Sequence, residues 1–398
     1  MLTPKLFRRE IILHAKNAAK ITPLCPHAPP NDMCGGCTFQ DIAYSDQITA
    51  KTKALIALWG DLLPPTIPTP TVVASPDPLH YRTRMDFIAS KERFGLRRGG
   101  KFNYIIDLTT CHLVPTEAFA IAHDIWQQAI AAGVPDYNLR THVGILRYIV
   151  VRRSPDNRYM LALITSAPDD NAEAAIAAIA QAALVNPAIV GIHWLRNDTP
   201  SDVSFGTPYK HWGEQLLPMR VGNNVLHIGP NTFFQNNVYL LDDMLAHIGA
   251  AVPAGQHVAD LYGGVGTIAL HLAESAQSVH CVESFAESID LCHANILTNL
   301  RTNVTAEVAD VGEFLRKTTR TFDTMVLDPP RVGLGELVCK EILRHSPQRV
   351  VYVSCNPLSQ IEDAKILSER YDMTSLIGYD MFPQTPHFET LAIFDRRS

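Results

Sequence analysis

Beyond about residue 231 the chain alternates helical stretches with short, unbroken apolar blocks: "HVADLY", "SVHCVE", "TMVLD", "RVVYVS" and "TLAIFD". Blocks without polar alternation fit strands buried on both faces, as in a largely parallel sheet. Helices between such strands predict a doubly wound α/β domain, in which ligands bind at the carboxyl ends of the strands. Upstream the pattern is mixed. Alternating segments such as "RMDFIAS" and "RYIVVRR" are separated by Ala-rich helices. One helix is predicted from Ala172 to Leu184, capped by Asp169, Asp170 or Asn171, with Ile176, Ile179 and Ala183 on one face. Another is predicted over residues 44–62, with Ile48, Leu55, Ile56 and Leu62 as its apolar positions. "PPTIPTP" at 64–70 reads as a stiff linker. The expected organisation is a Cys-rich segment (1–43), a helix and linker (44–70) that packs back on the last domain, a central α+β domain (71–230) and an α/β domain (231–398).

Composition narrows this only a little. A chain of 398 residues, 46% of them hydrophobic, can bury a sizeable core and suggests two or three domains. A net charge of -6 argues against a surface coated in positive charge but leaves room for a local basic patch. No apolar run reaches the roughly 18 residues of a membrane span, and the N-terminus lacks a signal core. A soluble, cytoplasmic protein is expected, with no membrane association and no obligatory protein partner.

The segment "VADLYGGVGTIAL" (258–270) reads as strand, glycine loop and helix. Gly263, Gly264 and Gly266 allow a tight turn and close approach of a ligand. Glu283 ends the next strand, where a carboxylate can accept from two ribose hydroxyls. Asp310 ends a third and could accept from an adenine amino group. These features together point to a nucleoside-bearing cofactor. No Walker lysine follows the glycines, which leaves NAD and S-adenosylmethionine. The G-G-x-G spacing departs from the dinucleotide fingerprint and favours S-adenosylmethionine, which has no pyrophosphate to cradle.

Two further strands end in proline-broken loops, "DPPRVGL" (328–334) and "VSCNP" (353–357). Pro357 stops its strand, so the Cys355 thiol is expected at the carboxyl edge of the sheet, with Asp328 at the equivalent edge beside it. Glu389 in "PHFET" precedes the last apolar block. An acid, a thiol and a second acid would then converge over the cofactor loop.

Eight cysteines in a chain of this class suggest metal binding or catalysis rather than disulfides. Cys25, Cys34 and Cys37 are spaced C-x8-C-x2-C, and Cys111 is the expected fourth ligand. This spacing leaves zinc and an iron–sulfur cluster equally open. Basic residues gather at the N-terminus (Lys5, Arg8, Arg9, Lys16, Lys20) and in "KERFGLRRGGKFNY", where Arg97 and Arg98 are interleaved with Phe94, Phe102 and Tyr104. Arg82 and Arg84 extend that patch. Cations beside aromatics suit phosphate contact and base stacking, so RNA is the expected partner.

In this order, "NTFFQNN", "DLYGGVGTIAL", "DPPRVGL", "VYVSCNP" and "PHFET" resemble the motifs of the RNA uracil-5-methyltransferase family, over most of the chain. The resemblance implies a Rossmann-like class I methyltransferase domain, a mixed α+β central domain that binds RNA, and a small Cys-rich iron–sulfur segment. It implies Cys355 as the nucleophile that adds to uracil C6 and Glu389 as the base that removes the C5 proton. Gln235, Tyr262, Glu283 and Asp328 match positions that contact S-adenosylmethionine; Asp328 could instead orient the uracil edge. Phe233 could stack on a base or be a core phenylalanine, and Arg331 could contact phosphate or pair with a nearby acid. The Cys25, Cys34, Cys37 and Cys111 pattern resembles the family's [4Fe-4S] site, with a structural role. Many relatives carry cysteine where Gly264 stands, a departure without expected consequence. With 24 residues before Cys25, the extra N-terminal β-barrel of many relatives is expected to be absent, as in the shorter 23S rRNA enzymes. The expected substrate is 23S rRNA. The alternatives are tRNA, or a non-catalytic iron–sulfur RNA-binding protein.

Overall fold

The computed structural model describes residues 4–397. The side chain of Lys5, counted above in the basic N-terminal stretch, lies outside the described residues. The chain opens with α1 (Pro4–Ala15) and α2 (Tyr44–Trp59), which ends in a single 3-10 turn (Gly60–Leu62), followed by the short strand β1 (Val72–Val73). The central region runs β2 (Arg84–Ala89), β3 (Phe94–Arg98), β4 (Lys101–Asp107), α3 (Thr116–Ala131), β5 (Leu146–Arg153), β6 (Tyr159–Thr165), α4 (Asp170–Ala183), β7 (Ile189–Arg196) and β8 (Thr207–Gly213). A hairpin of β9 (Leu217–Val221) and β10 (Asn224–Ile228) leads into α5 (Leu241–Ala251). Alternation follows: β11 (His257–Leu261), α6 (Thr267–Leu272), β12 (Ser278–Glu283), α7 (Ala286–Thr298), β13 (Val304–Val308), α8 (Val311–Lys317) and β14 (Thr324–Leu327). The chain then continues through α9 (Gly335–His345), β15 (Arg349–Ser354), α10 (Pro357–Leu367), β16 (Tyr371–Tyr379) and β17 (Glu389–Arg396).

The larger sheet has eight strands in the order β1-β16-β17-β15-β14-β11-β12-β13. Strands β11 to β15 pair in parallel, as their unbroken apolar sequences predict. The block "TLAIFD" departs from that expectation. It forms β17, which inserts antiparallel between β15 and β16. The order of the parallel strands reverses between β11 and β14, and this switch point opens the crevice where ligands bind.

The smaller sheet, β4-β3-β2-β5-β6-β7-β8, is antiparallel except at β6–β7, which α4 connects. Asp169 caps α4 by accepting from the backbone N–H of Ala172 at 2.8 Å. Strand β2 alternates inside and out as predicted, whereas β5 is buried at every position, arginines included.

Helix α2 also differs from its predicted face. Leu55 is buried, but Ile48 and Ile56 are only half-buried and Leu62 is exposed beyond the helix end. Gln47 and Lys51 take the buried positions because polar partners meet them there. The Gln47 amide donates to the Phe39 carbonyl at 3.0 Å and to Gln384 Oε1 at 2.8 Å. Lys51 Nζ donates to Asp380 Oδ1 at 2.5 Å with both side chains fully buried, and Tyr44 Oη donates to Asp380 Oδ2 at 2.9 Å. Helices α1 and α2 therefore share the hydrophobic core of the larger sheet, through Phe7, Ile11, Ala54, Leu55 and Trp59. Val72 and Val73, assigned above to the central region, form the edge strand of that same sheet.

Candidate active site

The site begins at the end of β11. Tyr262 follows the strand with φ 65°, a left-handed conformation uncommon for a residue with a Cβ and typical of functional turns. At Gly263 a Cβ would lie 2.4 Å from Cys281 Sγ and 2.9 Å from Asp260 Oδ2, so only glycine fits. Asp260, fully buried under the loop, accepts from the Ala269 N–H at 2.9 Å through Oδ2, while Oδ1 has no partner. Burial pushes its carboxyl up to about 7. At the end of β12, Glu283 accepts from the N–H groups of Gly264 (3.3 Å), Ser284 (2.6 Å) and Phe285 (2.9 Å). Asp310 lines the same cleft, and one of its oxygens caps α8 by accepting from the Glu313 N–H at 3.0 Å.

Strands β14 and β15 bring Asp328 and Cys355 to the same edge, because they are adjacent and parallel. Gln235 Nε2 donates to Asp328 Oδ2 at 3.1 Å. Glu389 reaches this edge by register. The last β15–β17 pair is Ser354 with Thr390, so one antiparallel step further sets Cys355 opposite Glu389. Glu389 is 3% exposed, so it is not a solvated loop carboxylate, and its Oε2 has no partner among the described residues. Burial, with the Asp328 charge, pushes Glu389 up to about 8. Burial likewise pushes Asp328 up to about 7. Cys355, half-buried, is pushed up to about 11 by desolvation and by the charges of Glu389 and Asp328, while the Arg331 guanidinium pulls it back.

These residues line one cleft of about 1850 Å³, between the carboxyl edge of the larger sheet and the central region. It gathers Gln235, Tyr262, Gly264, Glu283, Asp310, Asp328, Arg331, Cys355 and Glu389. Phe233 lies in it with 63% of its surface exposed, so it is not a core residue. Arg82 also faces the cleft. Arg97 and Arg98 stand apart, on the β3–β4 hairpin. Arg97 is bound to Asp202 and stacks 4.1 Å over Phe102, which leaves it less free for phosphate than its sequence context suggests. Phe94 is wholly buried rather than displayed. Lining residues that carried no sequence signal include Arg196 and Phe205, and His387, within the "PHFET" motif but not singled out there, also faces the cleft and is pushed down to about 4 by burial.

Cys25, Cys34, Cys37 and Cys111 are buried, free of disulfides, and share one cluster in the core of the central sheet. Burial and the mutual charge of neighbouring thiols push them up, Cys34 to about 11 and Cys111 to about 12. Among the described residues, however, no group of three or more Cys, His, Asp or Glu side chains converges to hold a metal ion. The expected metal centre is therefore not seen as a coordination group.

A glycine loop at the switch point of an α/β sheet, with acids at successive strand ends, is the geometry of a site for a nucleoside-bearing cofactor. A family model described as tRNA (Uracil-5-)-methyltransferase matches residues 43–397, and the chain belongs to that family. An uncharacterized RNA methyltransferase of Thermotoga maritima is 31% identical over 396 residues, covering 96% of this chain and 87% of its own length. The tRNA (uracil(54)-C(5))-methyltransferase of Pyrococcus abyssi is 30% identical over 364 residues, covering 90% of this chain and 83% of its own. The crystal structure of the P. abyssi enzyme with S-adenosyl-L-homocysteine is similar at a TM-score of 0.76 and 28% identity, covering 92% of this chain and 86% of that one. No helix of the described residues is long and apolar enough to cross a membrane.

Proposed function

We propose that the protein methylates C5 of a uridine in RNA, with Cys355 as nucleophile and Glu389 as base. The observation that carries this is the register that sets Cys355 opposite a buried Glu389 carboxyl whose Oε2 has no partner among the described residues, beside Asp328 and the cofactor loop. C5 of uracil is a weak nucleophile. Attack of the Cys355 thiolate at C6 forms a C–S bond and pushes the ring electrons toward C5. S-adenosylmethionine, when bound, supplies a methyl group made electrophilic by its sulfonium. Once C5 is methylated, Glu389 accepts the C5 proton. The electrons of that C–H bond then form the C5–C6 double bond as the thiolate leaves.

The cleft fits such a cofactor. Gly263 leaves the loop flat, Glu283 is aimed by three backbone N–H groups, and Asp328, held by Gln235, sets a negative charge where a sulfonium would be attracted. That positive charge would also favour the ionised forms of Cys355 and Glu389, which burial disfavours.

Cys25, Cys34, Cys37 and Cys111 would hold a [4Fe-4S] cluster as a structural knot between the N-terminal segment and the residues near 111. What supports this reading is that all four thiols are buried, free of disulfides and gathered in one cluster. Anaerobically purified protein is expected to absorb in the visible blue and to contain about four irons. Colourless protein with stoichiometric zinc would overturn the assignment.

The relatives described by their substrate are tRNA (uracil(54)-C(5))-methyltransferases, so tRNA takes precedence here over the 23S rRNA expected from sequence. The test is tritium release from tRNA and 23S rRNA transcripts carrying 5-tritiated uridine. Release that requires S-adenosylmethionine and is lost in Cys355→Ala supports C5 substitution, and the responding transcript names the RNA. Absence of release from both, with the cofactor bound, would refute it.

A further inference from the structure

Phe205 has no part in the reaction just described, yet the chain is built around its position. It sits in the loop between β7 and β8, lines the catalytic cleft, and leaves 47% of its surface in water. The Arg84 guanidinium lies 4.5 Å from the centre of its ring. That cation is itself fixed. It donates to Asp86 Oδ1 at 2.9 Å, to the Pro230 carbonyl at 3.1 Å and to the Ser204 carbonyl at 3.0 Å. The loop is equally constrained. Buried Arg147 donates to the carbonyls of Asn197 (2.6 Å) and Thr199 (2.8 Å) and to that of Ser201. Asn231 Nδ2 donates to the Gly206 carbonyl at 2.9 Å, tying this loop to the one that carries Phe233 two residues later. A half-exposed aromatic ring on a mobile loop would be unremarkable. A ring held rigidly, with a fixed cation behind it and water before it, is a stacking plate.

The cleft has room for a second occupant of that plate. Its volume of about 1850 Å³ exceeds the about 300–1,000 Å³ that suffices for a small ligand. Phe205 and Phe233 both line this cleft, on two loops joined by a hydrogen bond.

We infer that Phe205, backed by Arg84, is a stacking site for an unpaired nucleobase next to the target uridine. The site is specific for the aromatic face of a base rather than for its hydrogen-bonding edge. This rests on the reading of the cleft as a uridine-methylating site. It would make the preferred substrate an RNA in which at least one nucleotide beside the target is also unstacked from its neighbours.

The test is a double-mutant cycle between protein and RNA. Wild type, Phe205→Ala, Phe205→Leu and Phe205→Trp are each titrated with the RNA that releases tritium. Versions of that RNA abasic at the nucleotide on the 5′ or the 3′ side of the target are titrated in parallel. Phe205→Ala is expected to weaken binding of intact RNA by about 5- to 100-fold, with the larger loss in KM than in kcat. Phe205→Leu should not restore binding, whereas Phe205→Trp should. With one of the two abasic RNAs, wild type and Phe205→Ala should bind within about twofold of each other, since the partner base is already gone. Equal losses on intact and both abasic RNAs, or full binding by Phe205→Leu, would overturn the proposal while leaving the methylation reading intact. Absence of tritium release from any RNA by wild type would instead sink both.

Discussion

Glu389 must lose a proton before it can accept one. With its carboxyl pushed up to about 8 in the free protein, kcat/KM should rise as pH increases through that value. A pH–rate profile that is flat from pH 6 to 9 would remove Glu389 from the role of base. Glu389→Gln should still allow attack by Cys355 and methylation, but not proton removal. It should therefore trap a protein–RNA adduct that survives a denaturing gel. Asp328 offers a complementary check. A carboxyl whose folded pKa lies above its unfolded value favours the fold below the unfolded value and loses that contribution as pH rises through the folded one. With Asp328 at about 7, the loss spans roughly pH 4 to 7. Asp328→Asn should thus raise Tm at pH 8 by on the order of 2 °C and do little at pH 4, while weakening S-adenosylmethionine binding. At this scale the sequence was informative wherever a reactive residue followed an apolar run and preceded a proline, as with Asp328 and Cys355. It was silent for Asp260, an acid inside an apolar strand, whose burial and unpartnered oxygen appear only when the loop is folded over it.

Among the elements, the loop between β14 and α9 is tightly held. Gly333 has φ 83°, and a Cβ there would lie 2.6 Å from Asp363 Oδ2. Asp363 in turn accepts from the N–H groups of Leu334 (2.8 Å) and Gly335 (3.1 Å) and from Tyr352 Oη (2.7 Å). The Arg331 carbonyl is held from the other side by Asn356 Nδ2 at 2.8 Å. Gly333→Ala should therefore displace Arg331 and lower kcat at least about tenfold, the scale expected when a positioning contact moves by an ångström or so. By contrast, Asp169→Ala removes a helix cap remote from the cleft. It should cost about 1 kcal/mol in denaturant unfolding with turnover unchanged. Strand existence was legible from the apolar blocks, because burial on both faces leaves an unbroken pattern. Strand direction was not. Nothing local in "TLAIFD" distinguishes a parallel from an antiparallel neighbour, and that choice places Glu389 beside Cys355. The helix face of α2 was misjudged for a related reason, since Gln47 and Lys51 are polar by type but meet their partners only in the assembled fold.

At the scale of the whole molecule, the fully buried Lys51–Asp380 pair joins the N-terminal helices to the turn between β16 and β17. Lys51→Met leaves an uncompensated buried carboxylate and should destabilise the fold by about 3–5 kcal/mol, whereas Lys51→Met with Asp380→Leu should recover much of that loss. Thermal melts of the three proteins provide the comparison. Such long-range pairings escape a reading of the sequence, because their partners lie hundreds of residues apart and neither residue is unusual in its own segment. The position of β17 has a consequence of another kind. It is the last strand of its sheet to leave the ribosome, and it must slip between β15 and β16, which are made before it. The cofactor loop, Asp328 and Cys355 are thus all synthesised before the carboxyl proposed to complete the chemistry. Until translation reaches Glu389, an unfinished copy lacks the residue proposed to remove the C5 proton.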